Sequence, residues 1–271
     1  MLMAKRKGRF YYRAQFKQDD TGAFVMPGAD GRVSGSVPAW HRENVAESSP
    51  YCIPNELICA TLGAFLKLPI PPFSITYYNN KPYFSSLHFD PTDKDRQPPI
   101  KPAICAERFA WLCTGIIFFD ILVANEDRHD QNLAADSVGD PKALVVYDHD
   151  QALFGGGGNL CGVERLTVLR DRLGVTGRAP TGGNECCLLK AIRTVEFFDE
   201  WRYRVQDIPE WFIRETCREA VGIGLTRPEA NAAADFLVHR RDYLTTIIKN
   251  NATSLPLISG WRPRNDLFGP R

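Results

Sequence analysis

Asn125-Glu126-Asp127-Arg128-His129-Asp130-Gln131-Asn132 sets an Asp five residues ahead of an Asn. Val145-Val146-Tyr147-Asp148-His149-Asp150 then places a second acidic cluster directly after a β-branched run. Phosphoryl transfer needs this set of groups. One Asp orients or deprotonates a hydroxyl, while an Asn and a later Asp hold Mg²⁺ against the phosphates of ATP. Asp127 fits the first role. Asn132 offers a neutral oxygen and Asp148 a hard anionic one, both suited to Mg²⁺. Sixteen residues separate Asn132 from Asp148, enough for a short β-hairpin to bring them to one metal. Asp150 is the alternative ligand, because it shares a strand face with Asp148 if the strand continues. His129 is expected to hold the loop rather than act as base, and Arg128 to pair with Asp120, Asp130 or a phosphate. Each of these residues alone suits an ordinary polar turn. The offset, the preceding apolar helix and the Asp after a β-run are together harder to assign to turn chemistry.

Such groups need a rigid mount. Residues 106–123 read as a buried helix leading into the motif, and residues 143–147 as a short strand. Residues 155–158 are four glycines, either a mobile segment over a cleft or a connector. Upstream, residues 9–18 alternate as a strand, 19–22 turn, and 23–25 return. Residues 28–49 are rich in Gly, Ser and Pro and read as loop. Pro54 opens a helix carrying Asn55 and Glu56, with Leu57, Ile58, Leu62, Phe65 and Leu66 at helical spacing. Residues 73–78 and 82–87 form an expected hairpin around Asn79-Asn80, and 89–103 a linker. Downstream, 209–221 and 228–249 are the clearest helices, and the tail from Ser254 reads as irregular. The division is α+β, with a β-rich small lobe over 1–100 and a helical large lobe over 101–271.

The chain has 271 residues, 44% hydrophobic and 24% charged, with net charge +1. That balance gives no support for a membrane or nucleic acid as partner. Trp40-His41 and Trp201-Arg202-Tyr203-Arg204 mix aromatic and basic residues, and amphipathic packing is the simpler reading. The longest apolar stretch, 114–124, is interrupted by Asp120 and falls short of a membrane span. No signal core follows the basic start, so a cytoplasmic protein is expected. Eight cysteines without a Cys-x-x-Cys pair point to reduced, packed thiols.

Protein kinases place a catalytic Asp and a metal-binding Asn at this five-residue offset. Asn125-x-Asp127-Arg128-His129-x-x-Asn132 with Tyr147-Asp148-His149 resembles the HipA-like kinases, distant relatives of the phosphatidylinositol 3- and 4-kinases. Pro54-Asn55-Glu56-Leu57 and Leu66-Lys67-Leu68-Pro69-Ile70-Pro71 resemble that family's small-lobe helix and its exit. The resemblance covers about residues 50–155. It implies a two-lobe protein-kinase-like fold with ATP and Mg²⁺ in the cleft. Asp127 would be the catalytic Asp, Asn132 and Asp148 the metal ligands, and Glu56 the acid paired with a phosphate-binding Lys. It also implies a Ser or Thr of a protein substrate as acceptor, and is compatible with an antitoxin-type partner. Autophosphorylation would find candidates in Ser34 and Ser36. The phosphate-binding Lys is not evident. Lys17 is one candidate and Arg13 another cation, while Gly28, Gly31 and Gly35 fit a surface turn better than a phosphate loop. A pseudokinase or binding module is therefore the second reading, and a metal-dependent hydrolase built on Asp127, His129, Asp148, His149 and Asp150 the third.

Overall fold

The computed structural model describes residues 2–6, 9–15, 17–18, 24–27, 33–36, 39–46, 49–78, 80–87, 99–137, 139–157, 160–175, 186–192 and 195–252, with side chains from Arg42 onward. The expected irregular tail and most of the expected linker lie outside these residues.

Six strands precede the first helix: β1 (Leu2–Arg6), β2 (Arg9–Gln15), β3 (Lys17–Gln18), β4 (Phe24–Pro27), β5 (Val33–Ser36) and β6 (Ala39–Arg42). The expected strand over 9–18 is thus divided between β2 and β3, which belong to different sheets. β3, β4 and β5 make a small antiparallel sheet; the return strand expected over 23–25 corresponds to β4, while the turn expected over 19–22 lies outside the described residues. The loop expected over 28–49 is a correction: it contains β5 and β6. Composition lowers strand tendency there, but the ladder from β6 to β8 (Lys81–Leu87) overrides it, with Arg42 opposite Phe84. β7 (Phe73–Tyr78) and β8 form the expected hairpin, with Asn80 in the left-handed region at φ 62°. The larger sheet runs β1-β2-β7-β8-β6, antiparallel except for the parallel β2–β7 pair.

Helix α1 (Cys52–Phe65) connects the edge strand β6 to the central strand β7 and is buried from Cys52 to Gly63. Pro54 stands in its first turn, where backbone N–H groups have no acceptor within the helix. Burial so complete explains why Asn55 and Glu56, both polar, sit inside the molecule.

The helix expected over 106–123 is two, α2 (Pro102–Arg108) and α3 (Ala110–Val123), broken at Phe109 with φ −130° and ψ 39°. α3 is buried from Cys113 onward. Gly115 admits the Trp201 ring of α5 (Phe198–Gln206): a Cβ there would lie 2.2 Å from it. α4 (Gly162–Leu169), α6 (Glu210–Glu219) and α7 (Arg227–Asn250) complete the described helices. α3 packs against α2, α5 and α7. Thr226 and Glu229 close a reciprocal capping box at the start of α7. Between α3 and α4 lie a 3-10 turn (Asp130–Asn132), β9 (Leu133–Ala135) and β10 (Leu144–Val146). All eight cysteines are free thiols. Among the described residues no helix is long and apolar enough to cross a membrane. The architecture is mixed α+β.

Candidate active site

β9 and β10 pair antiparallel, Leu133 opposite Val146 and Ala135 opposite Leu144. Asn132 immediately precedes β9 and Tyr147 immediately follows β10. The register therefore sets them side by side, with the Tyr147 N–H donating to the Asn132 carbonyl at 3.5 Å. Asp148 is the next residue, so the expected hairpin does bring Asn132 and Asp148 to one end. Asp136 closes the other end, accepting the N–H groups of Lys142 and Ala143 at 2.9 and 3.1 Å. Asn132 is buried and donates its Nδ2 to the Asp127 carbonyl at 2.9 Å. A nitrogen must face a carbonyl, so Oδ1 is the atom that Asn132 has to offer a metal. The Asp127 N–H donates to Asn125 Oδ1 at 3.2 Å, and the His129 N–H to the Asp127 carbonyl at 2.9 Å. The loop geometry is thus set by backbone and amide bonds. They leave the Asp127 carboxyl partly exposed, 3.9 Å from His129 Nε2.

Three buried guanidiniums hold this segment. Arg128 pairs with Asp120 through Nε and Nη2, each at 3.0 Å, which decides among the partners open in the sequence. Its Nη1 donates to the carbonyls of Asn132 at 3.1 Å and Tyr147 at 2.7 Å, and its Nη2 meets His149 Nε2 at 2.8 Å. One side chain thereby ties α3 to both strands of the β9–β10 hairpin at its open end. Burial works against its charge, but Asp120 overcomes this and raises the pKa. Arg165 of α4 donates to the carbonyls of Leu153 and Ala124 and pairs with Glu126 at 3.2 Å. Arg240 of α7 donates to the carbonyl ends of α3, Ile121 and Leu122, and to those of Leu169, Arg170, Arg172 and Leu173. Burial lowers its pKa to about 9, with Arg165 adding to this, so it stays charged at neutral pH.

The strand containing Asp148 does not continue: β10 ends at Val146, and Asp148 adopts φ 62°. The expectation that Asp148 and Asp150 share a strand face is therefore corrected. The left-handed turn leaves both carboxyls on the same guanidinium. Asp148 Oδ2 accepts from Arg42 Nη2 at 2.5 Å, while its Oδ1 is buried with no hydrogen-bond partner. Asp150 Oδ2 lies 3.8 Å from Arg42 Nη1. Glu56 accepts the backbone N–H of His149, and its Oε2 lies 3.9 Å from His149 Nδ1. Burial pushes the Glu56 carboxyl up to about 8; Asp148 and Asp150 add to this, and Arg42 opposes it. Burial likewise lifts Asp150 to about 6, with Asp148 adding and Arg42 opposing. Burial first, then Arg128, keeps His149 neutral, and its ring stands edge-on to Phe119. Asn55 completes the clasp. It donates to the carbonyls of Asp150 at 2.6 Å and Gly155 at 3.3 Å, and accepts the Phe154 N–H at 3.3 Å.

Arg42 is the residue that sequence reasoning missed. It stands at the end of β6 and reaches across to Asp148 and Asp150, and Glu56 also acts on its charge. Among the described side chains, this arginine is the cation whose charge acts on Glu56. Lys17 and Arg13 lie on β3 and β2, and their side chains are outside the described residues. The signal available was a basic residue closing a strand 14 positions before Glu56.

The residues fit a divalent cation. Asn132 Oδ1 and Asp148 Oδ1 are hard oxygens at one end of one hairpin, and the second is a buried acceptor without a donor. Such an atom costs stability unless a ligand satisfies it. The hydrolase reading loses one of its histidines, because both His149 nitrogens face inward, to Arg128 and Glu56.

No protein-family profile matches the chain, and no curated protein does. Among solved structures, the chain is similar in fold to the proinflammatory kinase CtkA of Helicobacter pylori. That match covers 91% of this chain and 99% of that one, with TM-score 0.52 and 10% identity. The likeness is one of fold.

Proposed function

We propose that the chain is an ATP- and Mg²⁺-dependent phosphotransferase of HipA-like type, acting on a Ser or Thr hydroxyl of a protein. One observation carries the reading: the β9–β10 hairpin sets Asn132 beside Tyr147-Asp148, with Asn132 bonded back to Asp127. Fold similarity to a kinase supports it. Asp127, mounted on the loop before the hairpin, would accept or align the acceptor hydroxyl's proton through its partly exposed carboxyl. Asn132 and Asp148 would hold Mg²⁺ through their oxygens, and the ion when bound would offset charge on the transferring phosphoryl group. Asn55, Glu56 and Arg128 would fix the two loops so that these oxygens need no rearrangement. A nucleotide-binding pseudokinase is the second reading, favoured by the ion pair that holds Asp148 Oδ2.

The test is transfer of labelled γ-phosphate from ATP with Mg²⁺, to the protein itself and to a cell lysate. Wild type is compared with Asp127→Ala and Asp148→Ala. Label in wild type that falls at least ~100-fold in both variants, a loss typical of removing such groups, is the expected result. ATP-dependent thermal stabilisation with no label in any acceptor would select the pseudokinase.

A further inference from the structure

Arg42 holds a position that its surroundings make unusual. Its side chain is 40% exposed, yet its two terminal nitrogens address two carboxylates of one short turn. Glu56, 5% exposed, adds a third carboxyl within electrostatic reach of the same guanidinium. The residue stands on β6 of the small lobe, while Asp148 and Asp150 follow β10 of the large one. Asp148 has one oxygen occupied by Arg42 and the other buried without a partner. A divalent cation approaching Asp148 alone meets a fixed positive charge 2.5 Å from one of its two oxygens.

We propose that Arg42 is the cation that receives the nucleotide's phosphates, and that until they arrive it shields the metal position by holding Asp148. The inference rests on the phosphotransferase reading and extends it. A guanidinium binds a phosphate oxyanion with the same paired donors it turns on a carboxylate. The polyphosphate therefore competes with Asp148 for Arg42. Transfer of Arg42 to the phosphates releases the Asp148 oxygen as the metal arrives with the nucleotide. Metal and nucleotide then bind as a unit, and the metal alone binds poorly. Removing Arg42 has opposite consequences for the two ligands: the bare metal gains and the nucleotide loses.

Titration calorimetry with Mn²⁺ alone, and with ATP in Mg²⁺, tests this on wild type, Arg42→Gln and Arg42→Lys, each checked for an unchanged melting curve. The expected result in Arg42→Gln is Mn²⁺ binding at least tenfold tighter and ATP binding at least tenfold weaker. Arg42→Lys, which keeps the charge without the paired donors, should fall between. Equal affinities for both ligands in all three proteins would overturn the inference alone, provided wild type transfers phosphate. Loss of both affinities in Arg42→Gln would also overturn it, since the arginine would then be a structural support. A wild-type protein that binds no ATP would overturn this inference and the phosphotransferase reading together. That case differs from the others because Mn²⁺ binding is read separately.

Discussion

Arg128 and Arg42 both reach the turn around Asp148, and they are held in opposite ways. Arg128 is fully buried and bonds the Asp120 carboxylate, two backbone carbonyls and a neutral imidazole. Arg42 is part-exposed, and its side chain faces carboxylates at the candidate site. The first side chain has no alternative partner to move to without stranding Asp120. The second faces solvent and exchanges readily with an incoming anion. Rigid placement of the loops and an exchangeable charge at the site are thus assigned to different residues. The difference is one of burial, which sets how far water competes for each ion pair.

That contrast can be broken most severely at Asp120. Asp120→Ala leaves Arg128 charged and buried without a counter-ion, and should cost about 3–5 kcal/mol in urea unfolding. A loss below ~1 kcal/mol would mean that the carbonyls alone hold the guanidinium. Arg240 provides the next step down, because its acceptors are carbonyls and no carboxylate is stranded by its removal. Arg240→Met should cost about 2–3 kcal/mol, the penalty of unsatisfied buried acceptors. It should also lower phosphotransferase activity by loosening the end of α3, seen as a fall in kcat with little change in KM. A local yardstick that involves neither arginine's ion pairs is Thr226, whose hydroxyl caps α7. Thr226→Ala should cost ~1 kcal/mol and leave activity untouched. The smallest stability change is expected at Arg42 itself. Arg42→Gln should shift unfolding by less than ~1 kcal/mol, as for exposed ion pairs, while raising the KM for ATP. A destabilisation as large as that of Asp120→Ala would erase the distinction between the two arginines.

The hairpin at the acidic motif was legible because its pattern is local. The Asp127–Asn132 offset and the short strand before Asp148 can be counted along the chain, and hairpin closure follows from the length between them. The α+β class and the β7–β8 hairpin were legible for the same reason. β6 was not, because its pairing with β8 joins segments more than forty residues apart, and Gly, Ser and Pro around it argue locally for loop. Arg42 was missed with it. Arg240 was illegible for a related reason: the Ile121 carbonyl it holds is 119 residues away. The expected continuous helix over 106–123 failed at Phe109, where periodicity carries on across a backbone break. The shared face of Asp148 and Asp150 failed because strand pairing stops at Val146 and a left-handed residue follows.

The central claim is that the hairpin brings Asn132 and Asp148 to one divalent cation beside a nucleotide. Electron paramagnetic resonance of Mn²⁺, with a non-hydrolysable ATP analogue present, tests this most directly. Bound Mn²⁺ should appear with wild type and Asp127→Ala, and be lost with both Asn132→Ala and Asp148→Ala. Undiminished binding of Mn²⁺ in those last two variants would contradict the account, because the cation would then lie somewhere other than the end of the hairpin.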